Sequence, residues 1–275
     1  MEEYKAIEHS IITKYKKTLF HRFIGAVKDY QLISRGDKIA VCISGGKDSM
    51  LLAKLMQELS VHGDYPFDME FIVMDPGYAP QNRQKIIDNA ALMNIPVRIF
   101  DSPIFNSVVH IEKNPCYLCA RMRRGYLYKF AKDLGCNKIA LGHHFDDVVE
   151  TILMGMLYGA QVQTMMPRIK STNYPGMELI RPMYYIREKD IISWRNYNHL
   201  EFLQCACRFT EQNSQSDGTG TSKRQEVKQL IAMMKKTNPQ VDINIFRSVE
   251  RINLSTVIGY YLEDEEHHFL ERFET

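Results

Sequence analysis

The chain has 275 residues, 45% of them hydrophobic and 25% charged, and its 35 Lys and Arg against 33 Asp and Glu leave a formal charge of +2. That composition excludes disorder and fibre, and the length suits one large domain or one domain with a small appendage. No apolar run approaches the roughly 18 to 20 residues of a membrane helix, and the opening MEEYKAIEHS lacks a secretory signal's basic-then-apolar layout. A soluble, cytoplasmic protein without a membrane partner is expected.

In chain order, residues 1 to about 33 read as an amphipathic helix, because Ile7, Ile11, Ile12, Tyr15, Leu19 and Phe23 recur near helical spacing, with Lys14, Lys16, Lys17 and Arg22 between them. From Lys38 the period changes: Ile39 to Ile43 is a continuous apolar run stopped by Ser44-Gly45-Gly46, the pattern of a strand buried on both faces. A helix with Leu51, Leu52, Leu55, Met56 and Leu59 follows. The alternation repeats through Phe71 to Met74, a helix from Pro80 to Met93, Val97 to Phe100, a helix near Ala120 to Leu134, and Lys138 to Leu141. The helix pattern then resumes from Val148 to Leu157, before an irregular stretch containing Gly159, Pro167, Pro175 and Gly176. Met177 to Met183 adds a strand and Glu188 to Asn198 a helix. Residues 214–222 form a Gly/Ser/Thr-rich flexible segment, ahead of helices near Lys223 to Lys236 and Val241 to Val249. The fold class predicted is α/β: a doubly wound parallel sheet of about five strands, an N-terminal helix and a C-terminal helical extension.

Charge is uneven along this order. Residues 112–138 hold seven Lys or Arg against two acids, whereas residues 263–274 hold six acids against one Arg. The middle attracts phosphate and the tail repels it.

Three constellations carry chemistry. Ser44-Gly45-Gly46-Lys47-Asp48-Ser49 lies between a strand and a helix, where ligands bind in an open parallel sheet. Its glycines let the backbone approach an anion; its amides, the Ser44 and Ser49 hydroxyls and the helix N-terminus donate to phosphate, and Lys47 adds a point charge. It is neither G-x-x-x-x-G-K-[ST] nor G-x-G-x-x-G. The alternative is an ordinary strand-to-helix turn.

Of six cysteines, Cys116 and Cys119 stand at the C-x-x-C interval, and Cys205 and Cys207 follow a long gap. In a reducing compartment such thiols bind a metal or cluster more often than they form disulfides. Four ligands favour a closed zinc site, and three leave an open position. Cys42 and Cys136 read as small buried hydrophobes. The third constellation, Gly142-His143-His144-Phe145-Asp146-Asp147, follows the fourth strand at the same sheet edge. Its carboxylates suit magnesium placement or general-base work, and either aspartate could instead cap the next helix.

The hexapeptide SGGKDS resembles the pyrophosphate loop, or PP-loop, of the ATP pyrophosphatase family, which activates a carbonyl oxygen by adenylation. Asn114 to Gly125, Lys138 to Asp147, Tyr158-Gly159, Arg181-Pro182 and Arg187 to Ile191 together look like the TtcA-type tRNA 2-thiocytidine synthetases, over about residues 15 to 210. The resemblance implies an ATP-dependent sulfurtransferase that puts sulfur on a tRNA pyrimidine, an anticodon-loop cytidine, with ATP, Mg2+ and a 4Fe-4S cluster as cofactors. Asp48, Lys47, Asp146 and His143 would be catalytic. Ser44, Gly45, Gly46, Ser49, Asp75, Gly142 and Asp147 would bind ATP, with Val41 to Ile43 and Met74 to Pro76 on its adenine side. The cluster ligands would be Cys116, Cys119 and Cys205 or Cys207, since this chain has Cys205-Ala206-Cys207 where the family usually has a second C-x-x-C. Arg121, Arg123, Arg124, Lys16 and Lys17 would contact tRNA phosphates, against the alternative of solvated helix faces. A sulfur donor, cysteine desulfurase or sulfide, and a homodimer are further implied.

The domains expected are an N-terminal helical segment over 1–33, an ATP pyrophosphatase domain over 34–210, and a helical extension with an acidic tail over 211–275. Two alternatives remain: the same chemistry on another tRNA base or a small metabolite, or a nucleotide- and cluster-binding redox sensor without turnover.

Overall fold

The structure, a computed structural model, describes residues 2–64, 66–104, 115–203 and 223–273, with 115–120 described by backbone alone. By packing, the chain divides into two compact units, residues 1–148 with 166–220 and residues 149–165 with 221–275.

The first unit is built on a six-stranded sheet of β1 (Lys38–Ile43), β2 (Asp68–Asp75), β3 (Val97–Asp101), β4 (Lys138–Ala140), β5 (Arg168–Lys170) and β6 (Glu178–Ile180), in the order 3-2-1-4-6-5. All neighbours are parallel except β5, which runs antiparallel to β6 at the edge. The five expected strands are present, and β5 is the addition; three residues, Arg-Ile-Lys, are too few to show alternation. β1 shows why helices cover both faces. Ile39, Val41 and Ile43 enter one core, while Ala40 and Cys42 enter a second with Tyr128, Ala131, Cys136 and Ile139. A strand apolar at every position from Ile39 to Ile43 has no face to spare for water.

The larger core receives α1 (Glu3–Ile12), a π-helix (Lys16–Phe20), α2 (His21–Asp29), α3 (Lys47–His62), α4 (Pro80–Leu92) and α7 (Glu188–Tyr197), with Trp194 fully buried. α5 (Pro115–Asp133) lends Tyr128 and Ala131 to the smaller core. The single helix expected over residues 1–33 is broken. Thr13 leaves helical geometry (φ −116°, ψ −86°), its hydroxyl donates to the His9 carbonyl at 2.6 Å, and the π-helix follows.

α6 (Phe145–Gly159) starts in the first unit and ends in the second. The second unit adds α8 (Lys223–Met234), α9 (Val241–Ser248), a short 3-10 turn, a hairpin of β7 (Gly259–Leu262) and β8 (Glu265–His268), and α10 (Leu270–Phe273). Arg224 pairs with Glu150 at 3.2 Å, and the Tyr158 hydroxyl donates to Glu226 at 2.7 Å. The stretch expected as an acidic tail is thus folded over most of its length. Glu263 and Asp264 turn the hairpin at φ 50° and 69°, the left-handed pair that a two-residue hairpin loop demands. The segment 214–222, expected to be flexible, lies outside the described residues. Among the described residues no helix is long and apolar enough to cross a membrane.

Candidate active site

The strand order reverses at β1: the chain runs outward through β2 to β3, then returns to the other side of β1 as β4. Ligands of open parallel sheets bind in the crevice beyond the carboxyl ends at such a reversal. Both candidate loops lie there, residues 44–49 after β1 and 142–147 after β4.

The first loop is closed by its own hydroxyls. Ser49 Oγ donates to the Gly46 carbonyl at 3.0 Å and accepts from the Ser44 amide at 3.1 Å and the Ser44 hydroxyl at 3.2 Å. Gly45 sits at φ +84°, and a β-carbon there would lie 2.6 Å from Ile86 Cγ1, so the turn requires glycine. Among the described residues no side chain caps α3, which leaves its first amides as donors for an anion.

Charged side chains converge on the start of α3. Lys47 Nζ lies 3.1 Å from Asp48 and 3.2 Å from Glu188. Burial alone would lower the Lys47 pKa, yet these two carboxylates raise it. His144, 95% buried, stands among three carboxylates: Nε2 is 3.8 Å from Asp48 Oδ1 and 3.5 Å from Asp147, and Nδ1 is 3.8 Å from Asp146. Asp48 Oδ1 is buried without a hydrogen-bond partner among the described residues. Burial raises the Asp48 carboxyl above the usual range despite the pull of His144 and Lys47.

The neighbouring aspartates also hold the backbone. Asp147 accepts from the His144 amide at 3.0 Å, the back-reaching half of a capping box on α6, and Asp146 accepts from the Glu188 amide at 2.7 Å, satisfying the start of α7. The Arg187 guanidinium covers the Phe145 ring at 3.9 Å, so residues 187–188 are seated on the second loop. Asp75 ends β2 and is fully engaged: Oδ1 accepts from Gly77 and Tyr78 at 2.8 and 2.6 Å, and Oδ2 from Arg83 at 2.8 Å. It shapes the loop beyond β2.

The structure therefore brings Ser44 to Ser49, Gly142, His143, Asp146 and Asp147 to one edge, with Asp75 at the neighbouring strand end. Arg121 and Arg124 are exposed on α5, and Arg123 donates to the Tyr78 hydroxyl at 3.3 Å. Lys16 and Lys17 are exposed on the π-helix, which packs on α1, α2 and α7. Cys116 and Cys119 occupy the first turn of α5, because that helix begins at Pro115 rather than near Ala120; proline suits a first helical position. Their side chains, and all of Cys205 and Cys207, lie outside the described residues. Leu203, two residues before Cys205, donates its amide to the Gly45 carbonyl at 3.2 Å, so the chain ahead of that cysteine is anchored on the phosphate loop. Among the described residues no group of three or more His, Cys, Asp or Glu is placed to hold a metal ion.

Sequence reasoning passed over His144 and Glu188. His144 stood in the motif beside His143, and the N-cap position of α6 is what turns it inward. Glu188 reaches Lys47 only through tertiary packing.

The fold and the loop at its switch point define a PP-loop protein, and a model of the PP-loop domain matches residues 13–211. A tRNA-cytidine(32) 2-sulfurtransferase of Coxiella burnetii is 34% identical over 255 residues, covering 90% of this chain and 95% of its own. One from Alcanivorax borkumensis is 33% identical over 258 residues, covering 93% and 88%. The chain belongs to the tRNA-cytidine(32) 2-sulfurtransferase family. In fold it is similar to the U34-tRNA thiolase NcsA from Methanococcus maripaludis with its 4Fe-4S cluster, at a TM-score of 0.65 and 21% identity over 84% of this chain and 77% of that one.

Proposed function

We propose that this protein is an ATP-dependent sulfurtransferase that replaces the C2 oxygen of a tRNA cytidine, the anticodon-loop cytidine 32, with sulfur. The observation that carries the reading is a PP-loop at the switch point of a chain 34% identical, nearly end to end, to enzymes of that name.

The chemistry explains the need for ATP. The C2 carbonyl oxygen is a poor leaving group. Its attack on the α-phosphorus breaks the α–β anhydride, releases pyrophosphate and makes the oxygen part of an AMP ester. Sulfide then adds at C2, and AMP departs with the oxygen.

In this reading the Ser44, Gly45, Gly46 and Ser49 loop and the first amides of α3 hold the departing pyrophosphate, with Lys47 beside its charge. Magnesium commonly takes one or two carboxylates plus phosphates and water. Asp48 offers it a buried oxygen with no other hydrogen-bond partner among the described residues, and Asp147 lies across His144 from it. Gly142 and Asp75 shape the ATP cleft from β4 and β2. Asp146 and His143 are the groups assigned to take the proton of the incoming sulfur. The exposed Arg121, Arg124, Lys16 and Lys17, with Arg123, are assigned to tRNA phosphates.

Two thiols three residues apart on one helical turn suit a shared cluster, and the Leu203 anchor brings the approach to Cys205 to the same loop. We assign Cys116, Cys119 and Cys205 or Cys207 to a 4Fe-4S cluster. When bound, the cluster supplies an iron with an open position for the sulfur. A cysteine desulfurase or sulfide is the donor, and the protein acts as a cytoplasmic homodimer.

The test is anaerobic purification with assay of iron, acid-labile sulfide and zinc, then incubation with ATP, Mg2+, sulfide and unmodified tRNA. Roughly four irons per chain, tRNA-dependent pyrophosphate release and 2-thiocytidine by mass spectrometry are expected. One zinc, no iron and no thiolated base would overturn the reading.

A further inference from the structure

Two helices begin at the site. Lys47 is the first residue of α3 and Glu188 the first of α7, and the two helices pack on each other. An acid in the first turn of a helix is favoured by the helix dipole, so its position in α7 alone gives Glu188 no part in the chemistry. What sets it apart is where its carboxylate ends. Oε1 lies 3.2 Å from Lys47 Nζ, on the phosphate loop, and each side chain is only 21% exposed.

The base of Glu188 is fixed. The Phe145 amide donates to the Ile186 carbonyl at 2.9 Å, the Glu188 amide donates to Asp146 at 2.7 Å, and Arg187 covers the Phe145 ring, so residues 186–188 are clamped to the second loop. Further along α7, Trp194 is fully buried in the core. Glu188 thus reaches from a rigid seat on the second loop to the lysine of the first.

Lys47 has a second carboxylate within reach, Asp48 Oδ2 at 3.1 Å. A lysine ammonium is a point charge on a flexible stem. Between two acids at nearly equal distance it is shared, whereas with Asp48 alone it would close on that carboxylate and neutralise it. Asp48 is also the group whose other oxygen, Oδ1, is buried without a hydrogen-bond partner among the described residues. Magnesium, which commonly takes one or two carboxylates with phosphates, would have to compete with the ammonium for it.

We propose that Glu188 is a positioning residue that keeps Lys47 from neutralising Asp48, so that this carboxylate stays open to the magnesium carried by pyrophosphate. That role rests on the sulfurtransferase reading for its ligands, magnesium and the pyrophosphate of ATP. Glu188 acts only through Lys47 and touches neither ligand itself.

The test follows binding of pyrophosphate to the full-length protein by calorimetry at stepped magnesium concentrations, which needs neither tRNA nor a cluster. Glu188→Gln keeps every backbone contact of the clamp and should melt as wild type. It should raise the magnesium concentration for half-maximal binding on the order of tenfold, and tRNA-dependent pyrophosphate release should fall at low magnesium and recover at high magnesium. In a Lys47→Met background, where no ammonium is left to compete, the same substitution should shift the magnesium requirement by less than about twofold. An unchanged requirement in Glu188→Gln would overturn the role. A tenfold rise that persists in the Lys47→Met background would also overturn it, because Glu188 would then be a ligand of the cation. Should Glu188→Gln fold poorly, Glu188→Asp, one methylene short of Lys47, takes its place with the same expected shift. A wild type that binds magnesium pyrophosphate yet makes no thiolated base would sink the sulfurtransferase reading and leave this comparison to be decided by calorimetry alone.

Discussion

A β-carbon on Gly142 would lie 3.1 Å from the carbonyl carbon and oxygen of Asp48, so the loop after β4 is seated backbone to backbone on the first turn of α3. That contact joins the two halves of the site across the switch point. Alanine at 142 must push them apart by a few tenths of an ångström, because no flexible side chain is there to yield. Gly142→Ala should destabilise the fold by about 1 to 3 kcal/mol and slow tRNA-dependent pyrophosphate release at saturating ATP by about tenfold, since small misplacements at a reacting centre carry large rate penalties. An unchanged rate would mean that the two loops act independently.

Asp48 is held against its own preference. Burial raises its pKa although Lys47 and His144 favour the carboxylate, so the folded state disfavours the ionised form relative to the unfolded chain. By linkage, the native state is relatively best off below the unfolded value of about 3.9 and loses that advantage as pH rises through the higher folded value. Asp48→Asn, neutral at every pH, should therefore melt no lower than wild type at pH 7 while losing activity. Magnesium with ATP should raise the melting temperature of the wild type alone. An asparagine variant stabilised equally by magnesium and ATP would remove Asp48 from the cation's shell.

Where one strand or loop carried the whole signal, the sequence was legible. The run Ile39 to Ile43 ending in SGGKDS announces both a buried strand and its phosphate loop, and the structure places that loop at the reversal of strand order. The N-terminal segment shows the limit. Ile7, Ile11, Tyr15, Leu19 and Phe23 are buried at a constant spacing of four residues. On an α-helix of 3.6 residues per turn that spacing drifts by about 40° per step. The break at Thr13 and the wider π-turn absorb the drift and keep one face on the core, which a count of apolar positions does not reveal. Glu188 was hidden for another reason, because it meets Lys47 only when 187–188 docks on 145–147, and His144 because its partner Asp48 lies on a different element.

At the opposite, amino end of β4, Lys138 is 97% buried and contacts Asp37 at 2.7 Å, Glu178 at 3.5 Å and the Leu32 carbonyl at 2.9 Å. Burial would raise the Asp37 pKa, but Lys138, Asn137 and the Ser34 amide outweigh it and hold the carboxyl below its usual range. Removing one member leaves buried charge uncompensated, so Lys138→Met should cost about 3 to 5 kcal/mol in urea unfolding. The sign for Asp37 is the reverse of Asp48. Its stabilisation is complete above about pH 3.9 and disappears as pH falls through the folded value. Asp37→Asn should thus be less stable than wild type at pH 7, with the gap constant down to about pH 5 and closing in stronger acid. A gap independent of pH throughout would show that the lost contacts are not those of the carboxylate.

Cys42 and Cys136 are packing residues of the smaller core. Both are buried in the smaller core; burial pushes the Cys42 thiol far up and the Cys136 thiol up to about 11. At pH 8 a thiol of pKa 11 is about 0.1% thiolate, against roughly a quarter for a free cysteine, so reactivity falls about two hundredfold before access is considered. Iodoacetamide on the native protein at pH 8 should leave Cys42 and Cys136 unlabelled in peptide mass spectra, and both should label fully in urea. Cys42→Ala and Cys136→Ala should retain the iron content of wild type, whereas Cys116→Ala and Cys119→Ala should lose it. Native labelling of Cys42, or iron loss on its replacement, would refute its place as a packing residue.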